Sequence, residues 1–415
     1  MTTSAPGGPR LDEILSSADR DARYALLSEG STVIRGSHFG GVDLWIVTGY
    51  AEAVTVLTDP RFSNDLSGQD AIPLPGANLP EDLRSVITST LAAIDPPNHT
   101  RLRRLVARAF TASRTRRLRP RVAEIVEGLL AGLTDRAGPD GTVDVMEQFA
   151  HQLPILVIGE LLGVPPADQV RWRSSAEGLA SGDPTRIEPS ARALIAFMRE
   201  AIALRRSGQG AADDLLTTLT RPAEDGDRLT EDELVSMALS ILIAGHRTTA
   251  FLVRTMAVLV LSGAVECSDP AGIPALVEEI LRRHGPAEVG TVRIATEPVD
   301  LAGAAIASGD LVQVVLASGN RDQRRFTEPS VIDPARQDNA HLAFGHGMHY
   351  CLGAALARTM AQEALAGLLR YAPAMTPTHT PTLVVTNPAA AQLPVRIPAP
   401  DRDRRCPGRE GGARP

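Results

Sequence analysis

The sequence contains no lysine, so all 42 of its basic residues are arginines. That absence excludes every mechanism needing a lysine amine: Schiff-base catalysis, pyridoxal phosphate anchoring, the phosphate-loop lysine and the kinase strand lysine. Cysteine is scarce too: Cys267, Cys351 and Cys406 are too few and too scattered for a disulfide framework, and suit a reducing, cytoplasmic location. With only 8 Phe, 4 Tyr and 2 Trp, extended base-stacking platforms are not expected. A net charge of −7 argues further against a nucleic-acid partner. Residues 1–10 lack the apolar core of a signal peptide, and no apolar run of about 18 residues stands out, so no membrane association is expected.

What remains is a globular composition, 43% apolar and 22% charged over 415 residues. Residues 1–20 are expected to be a flexible N-terminus, 21–398 a single domain, and the Arg-, Gly- and Pro-rich residues 399–415 a disordered tail. Strand patterns fall at 32–34 and 44–48, with a short helix at 51–57 and an irregular loop at 67–80. From 94 to 261 the pattern is mostly helical. Its clearest element starts at Thr230, where Thr230 and Glu233 spell a capping box, and continues to Leu261 before Gly263 stops it. The middle of that helix, 240–250, is nearly all apolar or small, so it must run through the interior. Beyond Arg283 short β-like runs follow at 291–295, 311–317 and 384–397. The expected class is mainly α with small β-sheets (α+β), built around one long central helix.

The chemistry concentrates in Phe344-Gly345-His346-Gly347-Met348-His349-Tyr350-Cys351-Leu352-Gly353, which leads into an amphipathic helix at 354–369. A thiol just before a helix sits where unpaired N–H groups favour an anion, so Cys351 is expected to ionise readily. Gly345, Gly347 and Gly353 supply side-chain-free turns that let the backbone approach a flat partner. Two other readings stay open at this point: a buried structural cysteine, or zinc held by Cys351 with His341, His346 or His349.

This loop resembles the haem-binding loop of the cytochrome P450 family, in which Phe, two residues, Gly, three residues, Cys, one residue and Gly follow one another. Phe344, Gly347, Cys351 and Gly353 match without a gap. The resemblance implies the cytochrome P450 fold, haem b (iron protoporphyrin IX) as cofactor, and Cys351 as the ligand to iron. Other segments match in the family's order. Glu279 and Arg282 form its Glu-x-x-Arg pair, with Arg336 as the third member of a buried charge network. Asp95-Pro96-Pro97-Asn98-His99 and Arg103 match the helix at the haem edge. By this resemblance His99, Arg103, Arg293 and His349 hold the propionates. Ala244 and Gly245 give room over the iron, and Thr248, followed by Thr249, offers its hydroxyl to bound dioxygen.

One departure stands out. The family usually has Asp or Glu before the key threonine, and here it is Arg247, which stays protonated and cannot shuttle protons as an acid. Three readings follow: a monooxygenase in which Arg247 sits in a structural ion pair; an enzyme in which Arg247 grips a substrate carboxylate, as in a peroxide-using branch of the family; or an oxidase doing coupling or desaturation. A haem-binding sensor or carrier without turnover is the rival from another class. The resemblance also implies a mainly apolar secondary metabolite as substrate, lodged near Val289, Gly290 and Thr291, with dioxygen as co-substrate. Electrons would come from a ferredoxin and ferredoxin reductase, docking on the basic face made by Arg101, Arg104 and Arg108.

Overall fold

The computed structural model describes residues 8–17, 19–27, 30–66, 79–88, 90–181, 183–208, 214–383 and 392–398. Within them the helices are α1 (Leu11–Leu15), α2 (Arg20–Leu27), α3 (Tyr50–Thr58), α4 (Glu81–Thr88), α5 (Asn98–Ala107), α6 (Ala112–Ala131), α7 (Gln152–Leu162), α8 (Gln169–Ala180), α9 (Pro184–Arg206), α10 (Leu215–Thr220), α11 (Glu231–Leu261), α12 (Ile273–His284), α13 (Leu316–Gly319) and α14 (Ala354–Tyr371). The strands are β1 (Val33–His38), β2 (Val42–Val47), β3 (Phe62–Ser63), β4 (Thr142–Asp144), β5 (Val292–Ala295), β6 (Val299–Leu301), β7 (Ala304–Ile306), β8 (Leu311–Val314), β9 (Thr376–Pro377) and β10 (Pro394–Arg396). Most of the loop expected at 67–80, the start of the 384–397 run and the tail at 399–415 lie outside the described residues.

The long helix begins at its cap. The Glu233 N–H donates to Thr230 Oγ1 at 3.2 Å and the Thr230 N–H donates to Glu233 Oε2 at 2.8 Å, a reciprocal capping box that satisfies two otherwise orphaned donors. By length and hydropathy α11 could cross a membrane, against the expectation that no such run exists. It is instead the spine of the main core: Leu234, Val235, Leu239, Leu242, Val253, Met256 and Ala257 are all buried among residues of α6, α7, α9 and α14. Burial of this kind is worth roughly 1.5–3 kcal/mol for each large aliphatic side chain.

The principal sheet has the order β1-β2-β8-β5-β3; β2 and β8 run parallel and the other neighbours antiparallel. A second sheet joins β4, β10 and β9, and β6 pairs with β7. The N-terminal segment is a correction to the sequence reading. Within the 1–20 stretch expected to be flexible, residues 8–16 lie along β1: the Ser37 N–H donates to the Pro9 carbonyl, and the Gly40 N–H to Asp12. Leu11 and Ile14 of α1 are buried against Leu44, Ile46, Val292 and Leu311. Three apolar residues, Leu11, Ile14 and the half-buried Leu15, suffice to dock so short a helix. Their signal is too small to register as amphipathic periodicity.

Candidate active site

The loop carrying Cys351 is shaped by its glycines and by a backbone bond of its own. Gly345 and Gly347 adopt φ of +71° and +70°, a region that excludes side chains at ordinary cost. At Gly347 an added Cβ would also stand 2.6 Å from the Leu57 carbonyl oxygen at the end of α3. Gly353 has ordinary dihedrals, and a Cβ built on it meets nothing within 4 Å. The Cys351 N–H donates to the Phe344 carbonyl at 2.9 Å, closing the loop, and the side chain of Cys351 faces open space. Although its surface is open on one side, the protein packed around the loop desolvates the thiol and pushes it up, against the expectation of ready ionisation, opposed by the Gly353 N–H and the charges of Arg103 and Arg358. The helix begins only at Ala354, so its amide field reaches the sulfur through one N–H. Among the described residues no group of three His, Cys, Asp or Glu side chains is placed to hold a metal ion, which leaves the zinc reading without ligands.

Three donors converge beside this loop. His99 and His349 lie with ring centroids 4.3 Å apart. Both are pushed below the ordinary histidine range, His349 to about 4, by burial, by their neighbouring cations and, for His349, by His99 itself. Arg293 on β5 is buried; burial depresses it to about 10 while Asp95 pulls the other way. Its Nη1 donates to the Val56 and Phe62 carbonyls, but Nε and Nη2, together with His99 Nε2, are buried without a partner among the described residues. Orphaned buried donors cost free energy. A dianionic group supplied at this place would satisfy all three and relieve the depressed basicity. The residues therefore fit haem b: a thiol facing open space, a glycine left bare beside it, and donors for carboxylates at the edge. Arg103, expected with them, instead donates from Nη2 to the Tyr350 carbonyl at 2.7 Å, bracing the Cys351 loop.

On α11 the face made by Ala244, Arg247 and Thr248 is exposed although the helix is otherwise a core element. This i, i+3, i+4 stripe is the wall that looks onto open space. Thr248 Oγ1 donates to the Ala244 carbonyl at 2.7 Å. A Cβ on Gly245 would come within 2.9 Å of Ile158 Cδ1, the movable end of a side chain on α7. Thr249 is buried off this face. Arg247 makes no hydrogen bond or ion pair among the described residues, so of its three readings the structural ion pair finds no partner there. Its charge instead contributes to depressing His151 and His246, whose Nδ1 and Nε2 lie 3.3 Å apart. Near the expected pocket Val289 packs on the core around Leu11, Gly290 pairs with Val314, and Thr291 is exposed.

Glu279, Arg282 and Arg336 are brought together. Both Glu279 oxygens receive Arg282, Arg336 Nε donates at 3.0 Å, and the Asp333 N–H adds a fourth bond. The proposed docking arginines are placed otherwise than expected. Arg101 is bound by Asp227 and Glu233, Arg104 by Asp225 and Asp227, and Arg108 by the Leu105 and Arg221 carbonyls. The acidic turn before α11 pairs with Arg101 and Arg104, which stay partly exposed, so this face is not a run of unpaired cations. Their i, i+3, i+7 spacing marks a face, but its partner lay more than 100 residues away and left no local signal.

Sequence reading also missed two buried histidines with consequences for pH. Burial holds His246 at about 4 and His284 at about 3, helped by His151 and by Arg283 respectively. A histidine depressed on folding binds its proton more readily in the unfolded chain, whose value is about 6.5. The stability it contributes is complete above that value and drains away as pH falls from there through the folded values. Melting temperature is therefore expected to drop between pH 6.5 and 4, before the carboxylate pairs of Asp21 and Glu278, both near 2, are reached. His246→Gln should flatten the upper part of that profile; an unchanged profile would refute the assignment.

Comparison with known proteins agrees with this architecture. The family model described as Cytochrome P450 matches residues 273–394. The chain is 40% identical over 403 residues to cytochrome P450 monooxygenase PikC of Streptomyces venezuelae, covering 96% of this chain and 94% of the relative. It is 38% identical to the 6-deoxyerythronolide B hydroxylase of Saccharopolyspora erythraea, over 85% of this chain and 88% of that one. The solved structure of the ligand-free P450 monooxygenase TamI superimposes with a TM-score of 0.81 at 35% identity, covering 94% of both chains.

Proposed function

The chain belongs to the cytochrome P450 family, an oxygen-incorporating oxidoreductase with haem b, and from that premise we propose that it oxygenates a mainly apolar secondary metabolite. The observation that carries the site is the exposed thiol of Cys351 on a loop whose His349 stacks against His99, beside buried Arg293 and His99 nitrogens that have no partner among the described residues. Cys351 would ligate the iron; His99, His349 and Arg293 would hold the propionates. The bound haem supplies the activation of dioxygen. The chain supplies position and protons: Thr248 Oγ1, now bonded to the Ala244 carbonyl, can turn its hydroxyl into the space above and pass a proton from water. Electrons would come from a ferredoxin and its reductase, the redox partners typical of bacterial members of the family. A cytoplasmic setting suits both the free thiols and those carriers.

The 6-deoxyerythronolide B hydroxylase among the relatives motivates a natural product of that kind as substrate. Incubating the haem-loaded protein with ferredoxin, reductase and such compounds should give a product one oxygen atom heavier. A spectral shift on binding without any product would favour the carrier reading.

The exposed guanidinium of Arg247, unpaired among the described residues, favours a second reading of the site, in which it grips a carboxylate on the substrate. A charge-assisted pair is worth roughly 1.5–3 kcal/mol. Arg247→Glu is therefore expected to weaken binding of an acidic substrate by at least ~10-fold and leave its neutral amide unaffected. If neither affinity nor the fraction of reducing equivalents reaching product changes, Arg247 has no part in the reaction.

A further inference from the structure

Adjacent carboxylates on α12 face different parts of the fold. Glu279 belongs to the Arg282 and Arg336 network, whereas Glu278 grips Arg358 of α14 with both oxygens, at 2.8 and 2.9 Å. Arg358 does not stop there. Its Nη1 donates to the Tyr350 hydroxyl at 3.2 Å, and its guanidinium carbon lies 4.4 Å from the centroid of the Phe344 ring. Both contacts belong to the loop that presents Cys351: Tyr350 precedes it in the chain, and the Phe344 carbonyl receives its N–H. On the far side Glu278 Oε2 meets His341 Nε2 at 3.1 Å. The Ala343 N–H donates to His341 Nδ1, which leaves Nε2 to donate to Glu278. The ion pair is therefore a dipole, with its cation on the loop side and its anion behind. Each partner is 29% exposed, which leaves their field only partly screened by solvent.

We propose that Arg358, held by Glu278, is a positioning residue that raises the electron affinity of the iron bound to Cys351. One electron from a ferredoxin-class donor enters the ferric centre to give the ferrous one, with no bond broken and no proton moved. A nearby fixed cation favours the form carrying the extra negative charge. Glu278 restrains that effect and holds the guanidinium in place against Phe344 and Tyr350.

The test is the ferric/ferrous reduction potential of the haem-loaded protein, titrated with dithionite. Arg358→Gln should move the reduction equilibrium about tenfold toward the ferric form, about 59 mV for one electron. Glu278→Gln should move it in the opposite sense by a similar factor, because it leaves the cation unbalanced. Opposite shifts support the inference. Shifts of the same sign, or both under about twofold, overturn it, since a merely structural brace would loosen the loop in either variant. Should Arg358→Gln fail to retain haem, Arg358→Lys, which keeps the charge, replaces it and should stay within about twofold of the parent while Glu278→Gln still rises. The inference rests on Cys351 as ligand. If that reading fails, the parent's ferrous carbonyl lacks the red-shifted absorption of sulfur ligation; if only the present one fails, that absorption persists.

Discussion

Cys351→Ser should lose at least ~10³-fold in oxygenation and all red-shifted absorption of the ferrous carbonyl, while the polypeptide stays folded. The reason is electronic. A thiolate pushes electron density onto iron and favours O–O cleavage. A serine hydroxyl in the same place stays protonated and is a far weaker donor, all the more so where desolvation already makes the native thiol a weaker acid. The loop should survive because its closing bond is made by the backbone N–H of residue 351 to the Phe344 carbonyl, and the bracing by Arg103 reaches the Tyr350 carbonyl; neither uses the sulfur. Thermal unfolding of the haem-free variant should match that of the haem-free parent. Retention of the red-shifted band, or of turnover, would remove Cys351 from the site.

Arg282→Ala is expected to cost about 3–5 kcal/mol of stability, the range for breaking a buried ion pair on one side. Arg282 is wholly buried, and beyond its two bonds to Glu279 it donates to the Asn320, Pro329 and Val331 carbonyls. Alanine would leave three carbonyls and part of a carboxylate without donors in an interior that water cannot reach. Lysine cannot restore them, because a single ammonium does not span the fork geometry. Chemical denaturation should show a lowered midpoint for both variants. Glu279→Gln should be milder, since its amide oxygen still accepts one guanidinium bond. A loss below about 1 kcal/mol for Arg282→Ala would mean that water or a shifted side chain takes over those carbonyls.

The elements legible in the sequence were those whose information is local. Thr230 and Glu233 stand three residues apart and interact with each other's backbone, so the start of α11 could be placed to within a residue. The glycines around Cys351 carry their conformational requirement in their own identity. Glu279 and Arg282 share one helical turn, yet their burial became visible only with Asn320, Pro329 and Arg336 folded around them. What stayed hidden depends on partners remote in the chain. Glu278 reads as one more surface acid until Arg358, 80 residues on, is seen to close on it. Arg101 and Arg104 read as a free basic face until Asp225 and Asp227 arrive from the turn before α11.

The docking of α1 has a practical corollary. Leu11 and Ile14 share their cluster with Val292, the residue next to Arg293 on β5. Trimming the first sixteen residues, or fusing a bulky partner close to Leu11, would therefore unsettle the strand that aims a buried guanidinium at the cofactor edge. Leaky haem retention after such handling would be mechanical in origin, transmitted across the sheet from a stretch of chain that has no chemistry of its own.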